Sequence, residues 1–424
     1  MHKKAIFKKD FILVAIGQVI SIFGNQILRY ALPLYLLNQT GSSALFGTIL
    51  ACSFIPMLFI FPIGGIIADR VNKRNIMVIL DFGTALLIFF FYLMLGKMEI
   101  VPLVAITMII LYGIQGAYQP AVQASVPILV EKEYIMQGNS VVNLINSLGS
   151  MIGSILGGIL FSIVGLVPLL YISAVCFFAS AVMEIFIHIP FEKKKATENM
   201  FATGFTDLKE SFAFMFKKQP VLWKISLIYA SLNLLLTSLI IIGVPVLITQ
   251  NMVFLPDTAN RIYGYAQGAL GAGAILGGLI AGVLSKKLSA KSSPHILIGC
   301  ALSVLLGGIA LQMFKSSIII CIILIAGGSL LTGLSTLFQI QVMTYLQVLT
   351  PKYLIGKVIS CIICMCMCTN PLGQFIFGIV FERIGNFTYL PFYAASISVI
   401  FISIFTRRIF YGIDRLLTEN QPKL

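Results

Sequence analysis

Charged residues are scarce in this sequence. Only 10% of its 424 residues are Asp, Glu, Lys or Arg, whereas a soluble globular protein usually has about 25%. A water-exposed surface for a chain of this length is therefore excluded. Acidic residues are the rarer kind, 15 against 29 Lys and Arg, which leaves a formal net charge of +14.

Histidines are few, and nucleotide-binding motifs are absent from the sequence. The three histidines, His2, His188 and His295, are far apart in the sequence. No G-x-x-x-x-G-K-[ST] phosphate loop is present. We therefore expect no enzymatic activity, and any energy-dependent step would have to draw on an ion gradient.

The eight cysteines do not form an extracellular disulfide pattern, because all of them fall in apolar runs. Four of them cluster at positions 361, 364, 366 and 368. Position 366 lies about 200° around a helix from 364, so four ligands cannot converge on one metal ion from one helix. We expect packing cysteines and no metal site.

Uncharged runs of about 20 residues, enough to cross the hydrocarbon of a bilayer as a helix, recur along the whole chain. They are too long for the strands of a membrane barrel. The sequence thus predicts twelve transmembrane helices, at 11–37, 44–68, 75–96, 100–130, 138–164, 167–189, 221–249, 262–284, 295–314, 317–348, 355–382 and 388–406.

The basic residues follow the predicted topology. With the N-terminus inside, 24 of the 29 Lys and Arg lie in inner segments and four in outer loops, while Arg29 lies within a helix. This is the positive-inside bias. It places both termini in the cytoplasm and explains the net charge without nucleic acid as a partner. No cleavable signal peptide is expected, because the first helix is too long.

The two halves of the chain repeat one another. The run GGIIA at 64–68 returns as GGLIA at 277–281, 213 positions later, and Pro33 has a counterpart in Pro245 at nearly the same offset. We expect an N-terminal six-helix bundle at 1–190, a cytoplasmic linker at 191–219 and a C-terminal six-helix bundle at 220–424. The predicted fold is an all-α integral membrane protein whose two bundles are related by a parallel pseudo-twofold repeat.

The run GIIADRVNKR at 65–74 resembles the loop 2–3 signature of the major facilitator superfamily, G-x-L-A-D-R-x-G-R-K. Asn72 replaces a glycine of that signature, and asparagine tolerates the left-handed backbone that a turn there would require. The resemblance implies a cytoplasmic gating motif in which Asp69 docks on the start of helix eleven. The residues of that motif are Gly65, Asp69, Arg70, Lys73 and Arg74.

The run GSMIGSILGG at 149–158 is similar to the antiporter motif of the superfamily's exporters, G-x-x-x-G-P-x-x-G-G, with Ser154 in the place of proline. The alternative is a ridge of small residues that lets helices approach closely. Its glycines are Gly149, Gly153, Gly157 and Gly158. The run ALPLYLLNQTGSSALFG at 31–47 is similar to the macrolide-efflux branch of the superfamily, which implies a drug/proton antiporter.

Polar side chains follow one face of several predicted helices, where their burial in a membrane is costly. The resemblance implies that helices one, four, seven and ten line a central cavity; interhelical hydrogen bonding would explain some of the same residues. The cavity candidates are Gln18, Asn25, Arg29, Gln115, Gln119, Asn233, Thr237, Gln341 and Tyr345.

Three charged residues inside helices invite specific hypotheses. Arg29 lies about 27 Å along its helix from Phe11, and either extends to the outer headgroups or faces an anion or gate. Asp81 is a candidate for coupling to protons, or for pairing with an Arg or Lys of the 69–74 loop. Glu184 is the second coupling candidate, since His188 four residues later completes a pair that would titrate near neutral pH.

These expectations converge on a secondary transporter in a bacterial plasma membrane. We expect proton-coupled efflux of amphiphilic, drug-like small molecules, energised by the proton gradient and without a cofactor. Export of a siderophore or other metabolite, or flipping of a lysolipid, is the alternative on the same fold. The expected partners are a small-molecule substrate and the lipid bilayer, with the protein acting as a monomer.

Overall fold

A computed structural model describes residues 9–131, 134–190, 214–284, 289–350 and 355–419. No strand occurs within these ranges, and the chain there is a succession of long helices. The twelve main helices are α1 Lys9–Thr40, α2 Ser43–Arg70, α3 Lys73–Met94, α4 Ile100–Leu129, α5 Ile135–Val164, α6 Leu166–Ile185, α7 Pro220–Asn251, α8 Pro256–Val283, α9 Ser293–Met313, α10 Ser317–Leu349, α11 Ile355–Arg383 and α12 Leu390–Glu419.

The prediction of an all-α membrane protein is confirmed. Twelve helices in the described part of the chain are long and apolar enough to cross a membrane. Several ends differ from the predicted ones. The break between α5 and α6 is the single residue Gly165, whose φ of 74° is favourable only for glycine, and α6 ends at Ile185 rather than at 189.

Helix α7 is not a regular α-helix. Wider π-helical turns occupy Asn233–Thr237 and Leu247–Asn251. The second follows Pro245, which has no N–H to donate to the helix ladder. The Thr249 hydroxyl bonds the Pro245 carbonyl at 2.8 Å. Each π turn inserts one extra residue and so rotates every later side chain around the helix axis.

The chain divides into two compact units. The first comprises Met1–Thr197 together with Leu255–Gly268. Within it, α1 packs on α5 and α6, α2 packs on α4, and α3 packs on α4 and α6. Apolar side chains of these helices, among them Phe11, Met77 and Val126, form a buried cluster.

The second unit comprises Glu198–Phe254 and Ala269–Leu424. Here α9 packs on α10 and α12, while α7 packs on α11. Glycines allow a close approach of α8 to α10, because a Cβ at Gly273 or Gly277 would clash with the backbone at Ser329 or Gly333 respectively.

Candidate functional site

A buried carboxyl group lies between α1, α3 and α6. Asp81 of α3 is 2% exposed, and its Oδ1 accepts a hydrogen bond from the Ser21 hydroxyl of α1 at 3.0 Å. Ser180 of α6 is a further polar neighbour. The expected pairing of Asp81 with a basic residue of the 69–74 loop is wrong, because the side chain points into the bundle toward hydroxyl groups.

A second buried carboxyl group lies close by. Glu184 of α6 is 1% exposed, and its Oε1 accepts a hydrogen bond from the phenolic hydroxyl of Tyr118 of α4 at 2.7 Å. The expected Glu184–His188 pair is wrong. Because α6 ends at Ile185, His188 is exposed beyond the helix and its backbone N–H donates to Asp10 Oδ1 at 2.9 Å.

In each of the two carboxyl groups, only one oxygen accepts a hydrogen bond from the described residues. Asp81 Oδ2 and Glu184 Oε2 are buried and have no hydrogen-bond partner within the described residues. Gln18 of α1, a cavity candidate, is also fully buried, and neither its amide nitrogen nor its amide oxygen has a hydrogen-bond partner within the described residues. A buried polar atom without a partner costs about 1–3 kcal/mol, so this cluster is the place in the first unit that favours uptake of a proton or a water molecule.

A cavity of about 40 Å³ adjoins the first carboxyl group. A cavity needs roughly 10–15 Å³ to hold one water, so it has room for a few waters or one small polar group. It brings together three of the predicted cavity residues, Asn25, Gln115 and Gln119. Its polar lining is Ser21, Asn25, Gln26, Asp81, Thr84, Gln115, Tyr118, Gln119 and Asn146.

Arg29 lies one helical turn beyond Asn25. Its Nη1 donates to Gln115 Oε1 at 2.6 Å, and its guanidinium carbon lies 3.9 Å from the centroid of the Tyr112 ring. Both partners belong to α4, and Tyr112 is 4% exposed. The sequence left two hypotheses for Arg29, and the side chain does not extend to the outer headgroups as the first one expects, because it turns inward to α4.

The predicted cavity residues of the second unit are placed differently. Asn233 begins a π turn and donates to the Tyr229 carbonyl of its own helix at 2.9 Å. Thr237 is exposed, because that turn moves it off the face it would share with Asn233 in a regular helix.

Gln341 and Tyr345 of α10 are buried in a polar cluster with the beginning of α9. Gln341 accepts from the Ser293 hydroxyl at 2.8 Å and donates to the Ser292 hydroxyl at 2.9 Å. The Tyr345 hydroxyl lies 3.4 Å from that of Ser293. These contacts join two helices and satisfy the Gln341 side chain without a ligand.

In the loop signature, only Val71 and Asn72 separate α2 from α3. The expected left-handed conformation of Asn72 is wrong: its φ is −60°, and it caps α3 by accepting from the Arg74 N–H at 3.0 Å. Arg70 is exposed and Lys73 is buried. The surroundings of Gly65 and the side chain of Asp69 lie outside what the structure describes, so the role of Asp69 stays a prediction.

The glycines of the antiporter-like motif form a close contact surface on α5. A Cβ at Gly149 or Gly153 would lie 2.7 Å from Ile22 or Gln26 of α1, and one at Gly157 would lie 3.4 Å from the α1 backbone. Gly158 faces the beginning of α8 instead, against Gly264. The small-residue ridge is therefore present in the structure.

Sequence reasoning missed Tyr118, Thr84 and Asn146 as site residues. Tyr118 was detectable, because it lies three residues after Gln115 and so on the same face of α4. Asn146 is bonded by the Gln119 amide at 3.4 Å, a contact between α4 and α5 that no pattern along one helix reveals.

Comparisons with known proteins agree with this architecture. Macrolide efflux protein A from Streptococcus pyogenes is 21% identical over 398 residues, covering 91% of this chain and 92% of the relative. An uncharacterized MFS-type transporter from Bacillus subtilis (strain 168), YkuC, is 23% identical over 308 residues, covering 69% of this chain and 68% of the relative.

Solved structures share the fold at low sequence identity. A bacterial homologue of the iron transporter ferroportin matches with a TM-score of 0.73 and 16% identity, over 96% of this chain and 98% of that chain. The nucleoside transporter NupG matches with a TM-score of 0.69 and 14% identity, over 95% and 99%. The family model of the Major Facilitator Superfamily matches residues 14–373. The family model, the twelve helices that could span a membrane and the shared fold all indicate the same family. The chain belongs to the major facilitator superfamily of transporters.

Proposed function

We propose that the protein is a proton-coupled exporter of amphiphilic, drug-like small molecules in a bacterial cell membrane, working by alternating access with both termini in the cytoplasm. The observation that carries the proposal is the pair of buried carboxyl groups, Asp81 and Glu184. Both lie among helices of the first unit, with hydroxyl groups rather than cations as their bonded partners.

The physical reason is the cost of charge in this environment. Charged side chains at membrane depth are costly, and they mark ion and proton pathways. Burial opposes ionisation of a carboxyl group, whereas hydrogen bonds donated by the Ser21 and Tyr118 hydroxyls favour the ionised form. A carboxyl group balanced in this way takes up or releases a proton when its access to water changes.

The positions of the two groups suit such an exchange. Asp81 and Tyr118 both line the cavity, and Tyr118 bonds Glu184, which is not part of the lining. A proton that enters from the cavity therefore meets Asp81 first, and Tyr118 lies between the cavity and Glu184. No basic side chain is needed to neutralise either group once it is protonated.

The direction of transport and the type of cargo rest on similarity. The relative that covers 91% of this chain is named for macrolide efflux. The α5 glycines match the superfamily's antiporter motif except at Ser154, which agrees with export. Macrolides are themselves large amphiphiles, so we propose amphiphilic compounds as the class of substrate and not one particular drug.

The test uses proteoliposomes with an imposed pH gradient, supplied in turn with a hydrophobic cation, a drug-like hydrophobic anion, a macrolide, a siderophore and a lysolipid. We expect the gradient to accelerate movement of at least one of the three drug-like compounds, the cation, the anion or the macrolide. Asp81→Asn and Glu184→Gln should abolish that acceleration while keeping the shape of each side chain. The matched control is Asp257→Asn, at an exposed acid at the beginning of α8.

Each outcome of this test is decisive. If the unmodified protein moved every compound at a rate independent of the pH gradient, proton coupling would be refuted. Gradient-driven movement of the siderophore or lysolipid alone would refute the drug-like substrate class. A gradient response that survives in both carboxyl variants would remove Asp81 and Glu184 from the coupling mechanism.

A further inference from the structure

We propose that Arg29 binds an anionic head group of the transported amphiphile, a phosphate, sulfate or carboxylate, at the edge of the cavity. The inference rests on the proposed transport function and adds a substrate class to it. The observation behind it is an arginine at membrane depth that turns inward and has only neutral contacts among the described residues.

The two contacts orient the guanidinium without neutralising it. Gln115 offers an amide oxygen at 2.6 Å, and Tyr112 offers the face of its ring at 3.9 Å from the guanidinium carbon. A guanidinium has five N–H donors in a fixed planar fork. The bond to Gln115 uses one of them, so a second edge stays available for two parallel bonds to an anion.

The charge itself requires a partner. Arginine stays protonated at any physiological pH, unlike a carboxyl group, so it cannot escape its cost at membrane depth by neutralisation. In membrane proteins such residues face the interior or a water-filled space and mark substrate pathways. No carboxylate contacts Arg29 in the described part of the chain, and a negatively charged ligand is therefore the missing counter-charge.

The depth of Arg29 separates it from the headgroup region. Helix α1 has 32 residues, or about 48 Å at about 1.5 Å per residue. Arg29 lies 11 residues before the final residue, Thr40, about 16 Å from that end and about 7 Å beyond the helix midpoint. Because its guanidinium rests on the buried Tyr112 ring, it points to α4 and not along α1 to the outer surface.

The neighbouring space has the size of a head group. The cavity of about 40 Å³ is too small for a whole amphiphile but has room for a few waters or one small anion. Gln115 belongs both to its lining and to the Arg29 contact, and Asn25, one turn away on α1, also lines the cavity and carries a side-chain N–H₂ group that can donate to an anion. Asp81 is bonded by Ser21, which lies about 12 Å before Arg29 along α1, and an anion would avoid Asp81 while it is charged.

Ligands with one tail and different head groups test the proposal. The protein is placed in phosphatidylcholine nanodiscs, and the binding of octyl phosphate, octyltrimethylammonium and octyl glucoside is measured by calorimetry below their micellar concentrations. We expect octyl phosphate to bind tightest. Arg29→Gln should weaken octyl phosphate at least about tenfold, the loss for a hydrogen bond to a charged group, and leave octyl glucoside unchanged.

Two further variants keep the result interpretable. Arg29→Lys keeps the charge but loses the planar fork, so it should restore part of the affinity even if Arg29→Gln folds poorly. Arg261→Gln is the matched control, because Arg261 is exposed and donates to the neutral Ser162 hydroxyl at 3.0 Å without contacting the cavity lining. It should leave octyl phosphate binding unchanged.

The outcomes separate this inference from the proposed function. Equal binding of the three ligands, or octyl phosphate binding that survives in Arg29→Gln, would overturn the anion site, even if gradient-driven export is found. Anion binding without gradient-driven transport would overturn the proposed function alone. Competition by phosphatidylglycerol in the nanodiscs would support the site and identify a lipid phosphate as its occupant; lack of competition would assign it to the soluble amphiphile.

Discussion

The Tyr118 hydroxyl donates a 2.7 Å hydrogen bond to Glu184, and both side chains are buried. The bond joins α4 to α6 and supplies a hydrogen bond to a carboxyl group that has no cationic partner among the described residues. In the proposed mechanism, Tyr118 also separates Glu184 from the cavity. The residue is thus a positioning group for a proton-binding carboxyl.

We expect Tyr118→Phe to reduce both stability and coupling. Loss of the hydroxyl leaves Glu184 without its donor, which should cost about 1–3 kcal/mol and lower the thermal unfolding midpoint in detergent. Gradient-driven transport should slow more than passive exchange does. Tyr265→Phe, which removes the hydroxyl of an exposed tyrosine in the same unit, is the control, and equal effects of the two changes would contradict the role of Tyr118.

The cap of α3 gives a second prediction. Asn72 accepts from the Arg74 N–H at 3.0 Å, and replacing a capping asparagine by alanine costs about 1 kcal/mol, whereas glycine costs only a few tenths. Asn72→Ala should therefore lower the unfolding midpoint, and Asn72→Gly, the residue of the superfamily signature, should not. The prediction fails if the two variants unfold at the same temperature.

A third prediction concerns the α5 glycines. A Cβ at Gly158 would clash with the Gly264 backbone and lie 2.8 Å from the Tyr30 hydroxyl. Backbone atoms cannot move aside as a side chain does, so Gly158→Ala should cost about 1–3 kcal/mol. Gly83→Ala, where nothing lies within 4 Å, should instead gain about 0.5–1 kcal/mol from helix propensity. Thermal unfolding of both variants decides whether close packing is the reason for glycine at 158.

The sequence predicted the helices well, because a membrane span imposes a length and a composition that can be read locally. It also predicted which face of α1 and α4 is polar, and Asn25, Gln115 and Gln119 do meet at one cavity. These are properties of a single helix.

The sequence does not predict which side chains on different helices contact each other. Asp81 was matched with the nearest basic loop, but its bonded partner Ser21 is 60 residues away in the sequence. The Glu184–His188 pair failed because α6 ends before position 188, and Thr237 left its predicted face because a π turn changes the helical repeat. Helix rotation and termination depend on tertiary packing, which the periodicity of one segment does not contain.

The fourth prediction separates a structural glutamine from a ligand-binding asparagine. Gln341 is hydrogen-bonded to Ser292 and Ser293, so Gln341→Leu should cost about 1–3 kcal/mol of stability and leave ligand affinity unchanged. Asn25 lines the cavity, and its side-chain N–H₂ group can donate to a phosphate oxygen, so Asn25→Ala should weaken ligand binding with little loss of stability. Unfolding midpoints and calorimetric affinities of the two variants, measured side by side with octyl phosphate, test both statements. A weaker ligand affinity in Gln341→Leu, or an unchanged one in Asn25→Ala, would contradict the roles assigned to the two residues.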